Sequence, residues 1–457
     1  MDEVDFDVVL IGAGPGGYPA AIRAAQTGAR VALIEKQWVG GTCLHCGCIP
    51  TKTLIAGAAL YQQMKNAAEL GICVEGMSID YPAMVARKNE VVDGLQGGIR
   101  RLLKAHKVTL MEGEARFVSA TEVQVGEQLV AGKKLVVATG SRSVMPRFIP
   151  THPDIMDSRA FLEQETLPHS LLVLGGGYIG CEFACLAAAL GVEVTLVEML
   201  DDILLLLDRD VRSEIKRRMK RELNINILTK SRLDRVQIGS DGLIEASVGE
   251  TMLIVEQLLV AVGRQPNTEG LRLDVAGVKV DERGTICVDA FGRTSQEHIY
   301  AVGDVNGGIQ LAHTATHQGL RAADHACHLP LDVVDTLVPG VLFTLPEAAF
   351  VGVTERDVKA GLDVKKEKFF YRALGKAAAC GEQSGFVKWF AEASSGRLLG
   401  AQVVGAHATE LIAEATLAIQ AELTAEDVAH TIHAHPTFSE AWVEAAHKLV
   451  GKPIHSL

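Results

Sequence analysis

The stretch FDVVLIGAGPGG, residues 6–17, decides the fold. A run of β-branched and apolar residues, the pattern of a buried strand, ends in glycines at 12, 14 and 17. The helical stretch YPAAIRAAQTG follows, then a second apolar strand, RVALIEK, which ends at Glu35. Strand, glycine turn, helix and acid-tipped strand in this order form a dinucleotide-binding unit. Its glycines allow a tight turn, close approach of a pyrophosphate and close helix–strand contact. The pyrophosphate rests on the helix N-terminus, where free N–H groups and the dipole favour an anion. One such motif is weak, but this chain writes it twice. SLLVLGGGYIG at 170–180 carries Gly175, Gly177 and Gly180, and CEFACLAAALG and VEVTLVE lead from it to Glu198. In each copy the acid is placed to accept hydrogen bonds from ribose hydroxyls, and at Glu198 it repels a 2′-phosphate and favours NAD over NADP.

Each copy closes with another apolar strand ending at glycine, KLVVATGS at Gly140 and LLVAVGR at Gly263. A third region, TSQEHIYAVGDVNGG, sets Gly303 and Asp304 after a strand. An aspartate there can hydrogen-bond a chain of sugar-like hydroxyls, or can simply serve the turn. From about residue 337 the pattern changes to the short strands VLFTLPEAAFVGVT, GFVKWFAE and LLGAQVVG, with the apolar helices ELIAEATLAIQAEL and SEAWVEAAHKLVG. The fold class expected is α/β: two Rossmann-like dinucleotide-binding domains and a C-terminal α+β domain suited to a subunit interface. The divisions expected are 1–145, 146–268, a return to the first domain over 269–336, and 337–457.

Composition bounds the function. The chain has 457 residues, 48% hydrophobic and 22% charged, which fits an ordinary globular enzyme of about three domains. A net charge of −12 argues against nucleic acid or an anionic membrane as the main partner. The densest basic run, EIKRRMKREL at 214–223, reads as a solvated helix face. Apolar stretches are expected to stop short of the roughly 18 residues of a membrane span. Cleavage of a signal peptide would remove the first strand, so the chain is expected in the cytoplasm. Nine cysteines, mostly isolated, fit a reducing compartment, with Cys181, Cys185 and Cys327 read as small buried apolar residues.

The chemistry concentrates in GGTCLHCGCIPTK, residues 40–52. Cys43 and Cys48 have a spacing over which a loop can close into a disulfide. Such a disulfide beside a bound flavin can take two electrons and pass them to another disulfide or thiol. The same cysteines could be structural, or could ligate metal with Cys46, although a zinc site prefers two paired clusters. Lys52 follows on the expected helix, and Glu182 follows the second fingerprint; each has a plain surface reading beside a functional one. Near the C-terminus stands HAHPTFSE. Pro436 biases His435 toward an extended conformation, and its imidazole suits proton shuttling. Glu440 either closes a capping box with Thr437 or holds His435 in one tautomer.

Together the two fingerprints, GGTCLxxGCIPTK, Glu198, the GD pair and HAHPTxSE resemble, over essentially the whole chain, the dihydrolipoamide dehydrogenase branch of the flavin-dependent pyridine nucleotide-disulfide oxidoreductases. The resemblance implies FAD and NAD as cofactors and a Cys43–Cys48 redox disulfide, with Cys43 the exchanging thiol and Cys48 the one facing the flavin. It implies His435 as acid–base catalyst, oriented by Glu440 and contributed by the partner subunit of a homodimer. Gly12, Gly14, Gly17, Glu35, Lys52, Gly140, Asp304 and the backbone near Ala312 would hold FAD. Gly175, Gly177, Gly180, Glu198 and Gly263 would hold NAD, and Lys52 would pair with Glu182 beside the flavin. No resident metal is implied. The partner implied is the lipoyl domain of a 2-oxo acid dehydrogenase or glycine cleavage complex. Two other readings stand beside this one: a related NAD(P)H-dependent disulfide or metal-ion reductase, and a weakly catalytic flavin-bearing scaffold subunit. The chain departs from the family at His45 and Cys46, where Asn and an apolar residue are usual. Cys46 reads either as a filler of the apolar slot or as a competing thiol. His45 reads as a ring able to shift the pKa of the exchanging thiol.

Overall fold

A computed structural model describes residues 5–331 and 337–456. The boundary expected at 336–337 adjoins 332–336, and the leading residues 1–4 and Leu457 also lie outside the described residues. The first fingerprint strand, Phe6–Ile11, sits inside a sheet whose parallel order runs Thr109–Glu112, Val31–Glu35, Phe6–Ile11, Gln128–Val137, Ile299–Ala301. The second fingerprint strand, Ser170–Leu174, sits in a five-stranded sheet ordered Asn226–Leu228, Glu193–Val197, Ser170–Leu174, Gln257–Val260, Ile155–Met156. The two sheets have the same plan. In both, the central strands are covered on two faces, so they read as continuous apolar runs rather than alternating ones. Val8 to Ile11 and Leu171 to Leu174 are all buried.

Ile299–Ala301 returns to the first sheet after the whole second unit, which puts Gly303 and Asp304 beside the first fingerprint. Each unit also carries an antiparallel ribbon that the sequence reading did not resolve, Ala115–Phe117 with Glu122–Val125 in the first and the strands from Leu233 to Val255 in the second. Arg264–Pro266 pairs antiparallel with Ser141–Ser143 and ties the closing segments of the two units together. The C-terminal region is a five-stranded antiparallel sheet with helices Ala408–Gln420 and Glu440–Leu449 packed on it. The strand Val364–Phe370, four of whose first five residues are charged, was missing from the sequence reading.

The three regions meet on helix Tyr178–Ala189, which is buried along almost its whole length. One side covers its own sheet. The other meets Leu54, Ile55 and Ala58 of helix Cys48–Lys65 and Leu342, Ala348, Phe386 and Val404 of the C-terminal region. Each such buried aliphatic side chain stabilises by roughly 1.5–3 kcal/mol, less for alanine. This junction fixes the cysteine segment relative to the second fingerprint.

Two expectations need correction. Gly41–Lys65, 25 residues long, is apolar enough to cross a membrane by length and composition. The sequence reading treated its glycines as breaks, yet only Lys52 and Lys65 are charged across the whole stretch. In the fold it is two helices, Gly41–Cys46 and Cys48–Lys65, parted at Gly47. Cys181 and Cys185 are buried as expected, but Cys327 is only half-buried because it caps the end of helix Ala312–Ala326.

Candidate active site

The two fingerprints open into one cleft of about 1960 Å³. Gly12, Gly14, Glu35, Gly140, Asp304 and Ala312 line it on one side, and Gly175, Gly177, Glu198 and Gly263 on the other. Single drug-sized sites run to about 1,000 Å³, so this space suits two dinucleotides end to end. Gly17 and Gly180 stand behind it, where a Cβ would overlap the carbonyl oxygens of Gly12 and Gly175. Their task is helix–strand contact. The fingerprint helices, Gly17–Gln26 and Tyr178–Ala189, both begin without a side-chain cap and without an acid in the first turn. Uncapped N–H groups free of a competing carboxylate fit a pyrophosphate at each.

Glu35 and Glu198 are held identically. Glu35 accepts from the backbone N–H of Ala13 at 2.7 Å, and Glu198 from that of Gly176 at 2.7 Å, the second residue of each fingerprint. Their other oxygens accept from Gln37 N and Leu200 N. Each carboxylate therefore braces its own glycine turn and keeps lone pairs for a further donor. Asp304 accepts from Ser141 Oγ at 2.5 Å, with Arg264 Nε 3.8 Å away. Sequence reasoning missed Ser141 and Arg264. The signal was present: each directly follows the glycine of a closing strand, Gly140 and Gly263.

Cys43 and Cys48 are joined as a disulfide, their Cα atoms 4.7 Å apart. Cys43 lies on the short helix Gly41–Cys46 and Cys48 opens the next, so the bond spans the break at Gly47. Both sulfur-bearing residues line the cleft. One turn on, Lys52 Nζ reaches Glu182 Oε2 at 2.7 Å. Glu182 also accepts from Phe343 N at 2.9 Å, and Lys52 lies 4.6 Å from the centre of the Phe343 ring. Phe343 had not been anticipated, and Glu182 takes the buried ion-pair reading rather than the surface one. Tyr178, inside the second fingerprint, also lines the cleft, and its buried hydroxyl has no partner among the described residues.

His45 does not line the cleft. Its ring stacks on Trp38 at 5.6 Å and its Nε2 lies 2.9 Å from the Val39 carbonyl oxygen. Arg159 covers Trp38 at 4.4 Å from the ring centre. The imidazole thus anchors the turn ahead of the cysteine helix. Cys46 is a free, half-buried thiol on the cleft wall. Burial pushes it up, an effect only partly opposed by Arg159 and Arg264.

His435 and Glu440 meet each other but not the cysteines. His435 Nδ1 lies 2.8 Å from Glu440 Oε1, and the second Glu440 oxygen accepts from Thr437 N at 2.8 Å. The capping box is not formed: the helix starts after Ser439, and the Thr437 hydroxyl donates to Ala434 O instead. Burial raises the Glu440 carboxyl, but the Thr437 N–H and His435 outweigh it and leave it below its ordinary value. The His435 side chain is 74% exposed and lies outside the cleft of its own chain. Ile432 beside it is 97% exposed.

Residues 6–319 match the family described as pyridine nucleotide-disulphide oxidoreductase, and residues 338–446 match the dimerisation domain of that family. The dihydrolipoyl dehydrogenase of Chlamydia pneumoniae is 43% identical over 457 residues, covering 99% of this chain and 98% of that protein. The dihydrolipoyl dehydrogenase of Bacillus subtilis is 39% identical over 461 residues, again covering 99% and 98%. Among solved structures, LpdA of Mycobacterium tuberculosis is similar with a TM-score of 0.90 at 28% identity, covering 97% of this chain and 99% of that one. The HOCl-induced flavoprotein disulfide reductase RclA of Escherichia coli is similar with a TM-score of 0.88 at 30% identity, covering 96% and 99%.

Proposed function

The chain belongs to the pyridine nucleotide-disulphide oxidoreductase family, and from that premise we propose that it is a dihydrolipoyl dehydrogenase that uses FAD and NAD. The observation that carries the reading is a disulfide, Cys43–Cys48, in the wall of one cleft that also holds two acid-braced fingerprints. The uncapped helix starts fit both dinucleotides. Residues 1–145 with 269–336 form the FAD-binding part, 146–268 the NAD-binding part and 337–457 the interface domain. Gly12, Gly14, Gly17, Glu35, Lys52, Gly140, Asp304 and Ala312 hold FAD; Gly175, Gly177, Gly180, Glu198 and Gly263 hold NAD. When bound, the flavin accepts an electron pair from the cysteine pair and delivers it as hydride to NAD⁺.

This chain's own residues perform the thiol chemistry. His435 takes a proton from one thiol of dihydrolipoamide. The thiolate attacks Cys43 Sγ and displaces Cys48 as thiolate; the second substrate thiol then attacks the mixed disulfide and releases lipoamide. Glu440 fixes the His435 tautomer through Nδ1, leaving Nε2 to exchange the proton. Lys52, held by Glu182, keeps a cation on the cleft wall one turn from Cys48. Because His435 is exposed and lies outside the cleft that holds Cys43 in its own chain, each site takes its histidine from the second chain of a homodimer, a reading supported by the dimerisation-domain match. The natural donor is a lipoyl domain of a 2-oxo acid dehydrogenase or glycine cleavage complex. We place the activity in the cytoplasm, supported by seven free cysteines beside the single disulfide among the described residues. The test is NAD⁺ reduction by dihydrolipoamide with the FAD-loaded protein. Turnover with NAD⁺ well above that with NADP⁺ is expected, and a fully flavinated protein inert toward dihydrolipoamide would overturn the reading.

A further inference from the structure

HAHPT carries two histidines, and the thiol chemistry above uses only the second. His435 stands on residues 431–437, which run from helix Ala425–His430 toward helix Glu440–Leu449 outside any helix or strand. Among the described residues, no backbone–backbone hydrogen bond starts or ends on 432–437. Side chains hold the segment instead. Thr431 Oγ1 donates to Asp427 O, Thr437 Oγ1 to Ala434 O, and Glu440 takes the Thr437 N–H and meets His435 Nδ1. One hydrogen bond alone among the described residues leaves this stretch and its flanking helices: His433 Nε2 lies 2.6 Å from Glu414 Oε1, midway along helix Ala408–Gln420. Ile432 and His435 face solvent, while the His433 side chain between them is 7% exposed. Its Nδ1 lies 2.9 Å from the Thr431 carbonyl oxygen. Both of these partners are acceptors, and a neutral imidazole has one N–H, so the imidazolium is the form that satisfies both. The Glu414 hydrogen bond raises the ring above its ordinary value against the effect of burial, with further help from Thr431 O and Glu440.

We propose that His433, paired with Glu414, is the positioning residue for His435: the pair fastens the segment to helix Ala408–Gln420 and so fixes where the His435 ring stands when it enters the second chain's cleft. The proposal rests on the reading of His435 as the base. His433 itself exchanges no proton with the substrate, because both its nitrogens are engaged. Its charge has a second effect. Burial raises the Glu440 carboxyl, and the Thr437 N–H, His435 and then His433 more than offset it, so the acid that orients His435 stays ionised. Three charged or titratable groups thus face His433: Glu414 from one helix, Glu440 from the other and His435 from its own segment. Without the Glu414 contact the segment is tied only at its two ends. A displacement of about 1 Å at a reacting group can cost about 10²-fold in rate.

The test compares FAD-loaded wild type with His433→Phe, Glu414→Ala, Glu414→Gln and His435→Gln. Hydrogen–deuterium exchange at the histidine Cε1 positions, read by mass spectrometry, gives the pKa of each ring. His433 should titrate above the ordinary imidazole value of about 6.5 in wild type and at a lower pH in Glu414→Gln. With dihydrolipoamide and NAD⁺, kcat per bound FAD should fall about tenfold or more in His433→Phe and Glu414→Ala, with KM within about threefold. Glu414→Gln keeps a hydrogen-bond partner for Nε2 and should fall less than Glu414→Ala. NADH-driven reduction of ferricyanide needs the flavin but no thiol proton, and should stay within about twofold in all of them. Glu414 is 38% exposed, so its variants decide the matter where His433→Phe folds poorly. A His433 ring that titrates at or below the ordinary value in wild type would overturn the proposal. So would kcat within about threefold of wild type in His433→Phe and Glu414→Ala, or a parallel loss of ferricyanide reduction, which marks general damage. The two readings fail separately. Crippled His435→Gln beside normal His433 and Glu414 variants refutes the positioning alone, whereas near-normal His435→Gln refutes the base and this proposal with it.

Discussion

Lys388 should be the costliest single charge to remove outside the cleft. It lies on the C-terminal strand Gly385–Glu392, is 0% exposed, and projects its ammonium into an acidic group contributed largely by the NAD-side unit. Nζ lies 2.6 Å from Asp208 Oδ2, 2.8 Å from Asp210 Oδ1 and 3.7 Å from Glu355 Oε1. These three acids are the one group among the described residues close enough to hold a metal ion, and the lysine already sits in it. At an effective dielectric of about 20, one such contact is worth roughly 6 kcal/mol before the desolvation cost is set against it. Lys388→Met deletes the attraction but leaves Asp208 buried beside Asp210. Breaking a buried pair in this way costs about 3–5 kcal/mol. Lys368, at 2.6 Å from Asp210, and Lys366, at 2.7 Å from Glu355, still neutralise the outer acids, which places the loss near 3 kcal/mol. The assay is urea unfolding followed by the fluorescence of Trp389 and Trp442, whose rings are 4.6 Å apart in the core of the same domain. Adding Asp208→Asn to Lys388→Met should recover part of the loss, because the buried carboxylate is then gone. The pH direction is fixed as well. Burial raises the Asp210 carboxyl, but Lys388 and Lys368 outweigh it and hold it below its ordinary value. Its stabilising contribution is therefore present above the ordinary carboxylate range and lost as pH falls below it; in Lys388→Met the acid transition should begin at higher pH. A Lys388→Met protein within about 1 kcal/mol of wild type would refute this reasoning.

Three further outcomes concern the site. His435→Gln should keep the FAD spectrum and lose dihydrolipoamide oxidation by about 10²–10⁴-fold. Random hybrids of Cys43→Ser and His435→Gln chains should regain about a quarter of wild-type activity if each site draws its histidine from the second chain, and none if it does not. Glu198→Ala should narrow the preference for NAD⁺ over NADP⁺ at least tenfold in kcat/KM by removing the anion that faces a 2′-phosphate; an unchanged ratio would count against that role.

The glycine turns, the strands around them and the cysteine segment were legible because each is a local pattern: apolar runs meeting glycines, and two cysteines within one loop. Their duplication supplied what one copy lacks. Contacts made across the fold were not legible. Glu182 meets Lys52 from 130 residues away, and nothing in CEFACLAAALG says which face the single acid takes. Glu35 and Glu198 could be read as strand-end acids facing ribose, but their hold on Ala13 and Gly176 needs the turn to be folded first. The Thr437–Glu440 spacing satisfied a capping pattern of which the chain keeps only the glutamate's half, because the helix begins two residues later and one carboxylate oxygen takes the Thr437 N–H while the other turns to His435. Strand Val364–Phe370 escaped because its exposed lysines masked the alternation.

The most direct measurement is the fate of the two sulfurs after one equivalent of dihydrolipoamide is added to the oxidised FAD-loaded protein under anaerobic conditions. Rapid alkylation and peptide mapping should find Cys43 and Cys48 newly labelled, with Cys181 and Cys185 untouched in their buried helix, and the sample should gain a long-wavelength absorption band. A flavin that bleaches while Cys43 and Cys48 stay joined would contradict the disulfide's place in the electron path.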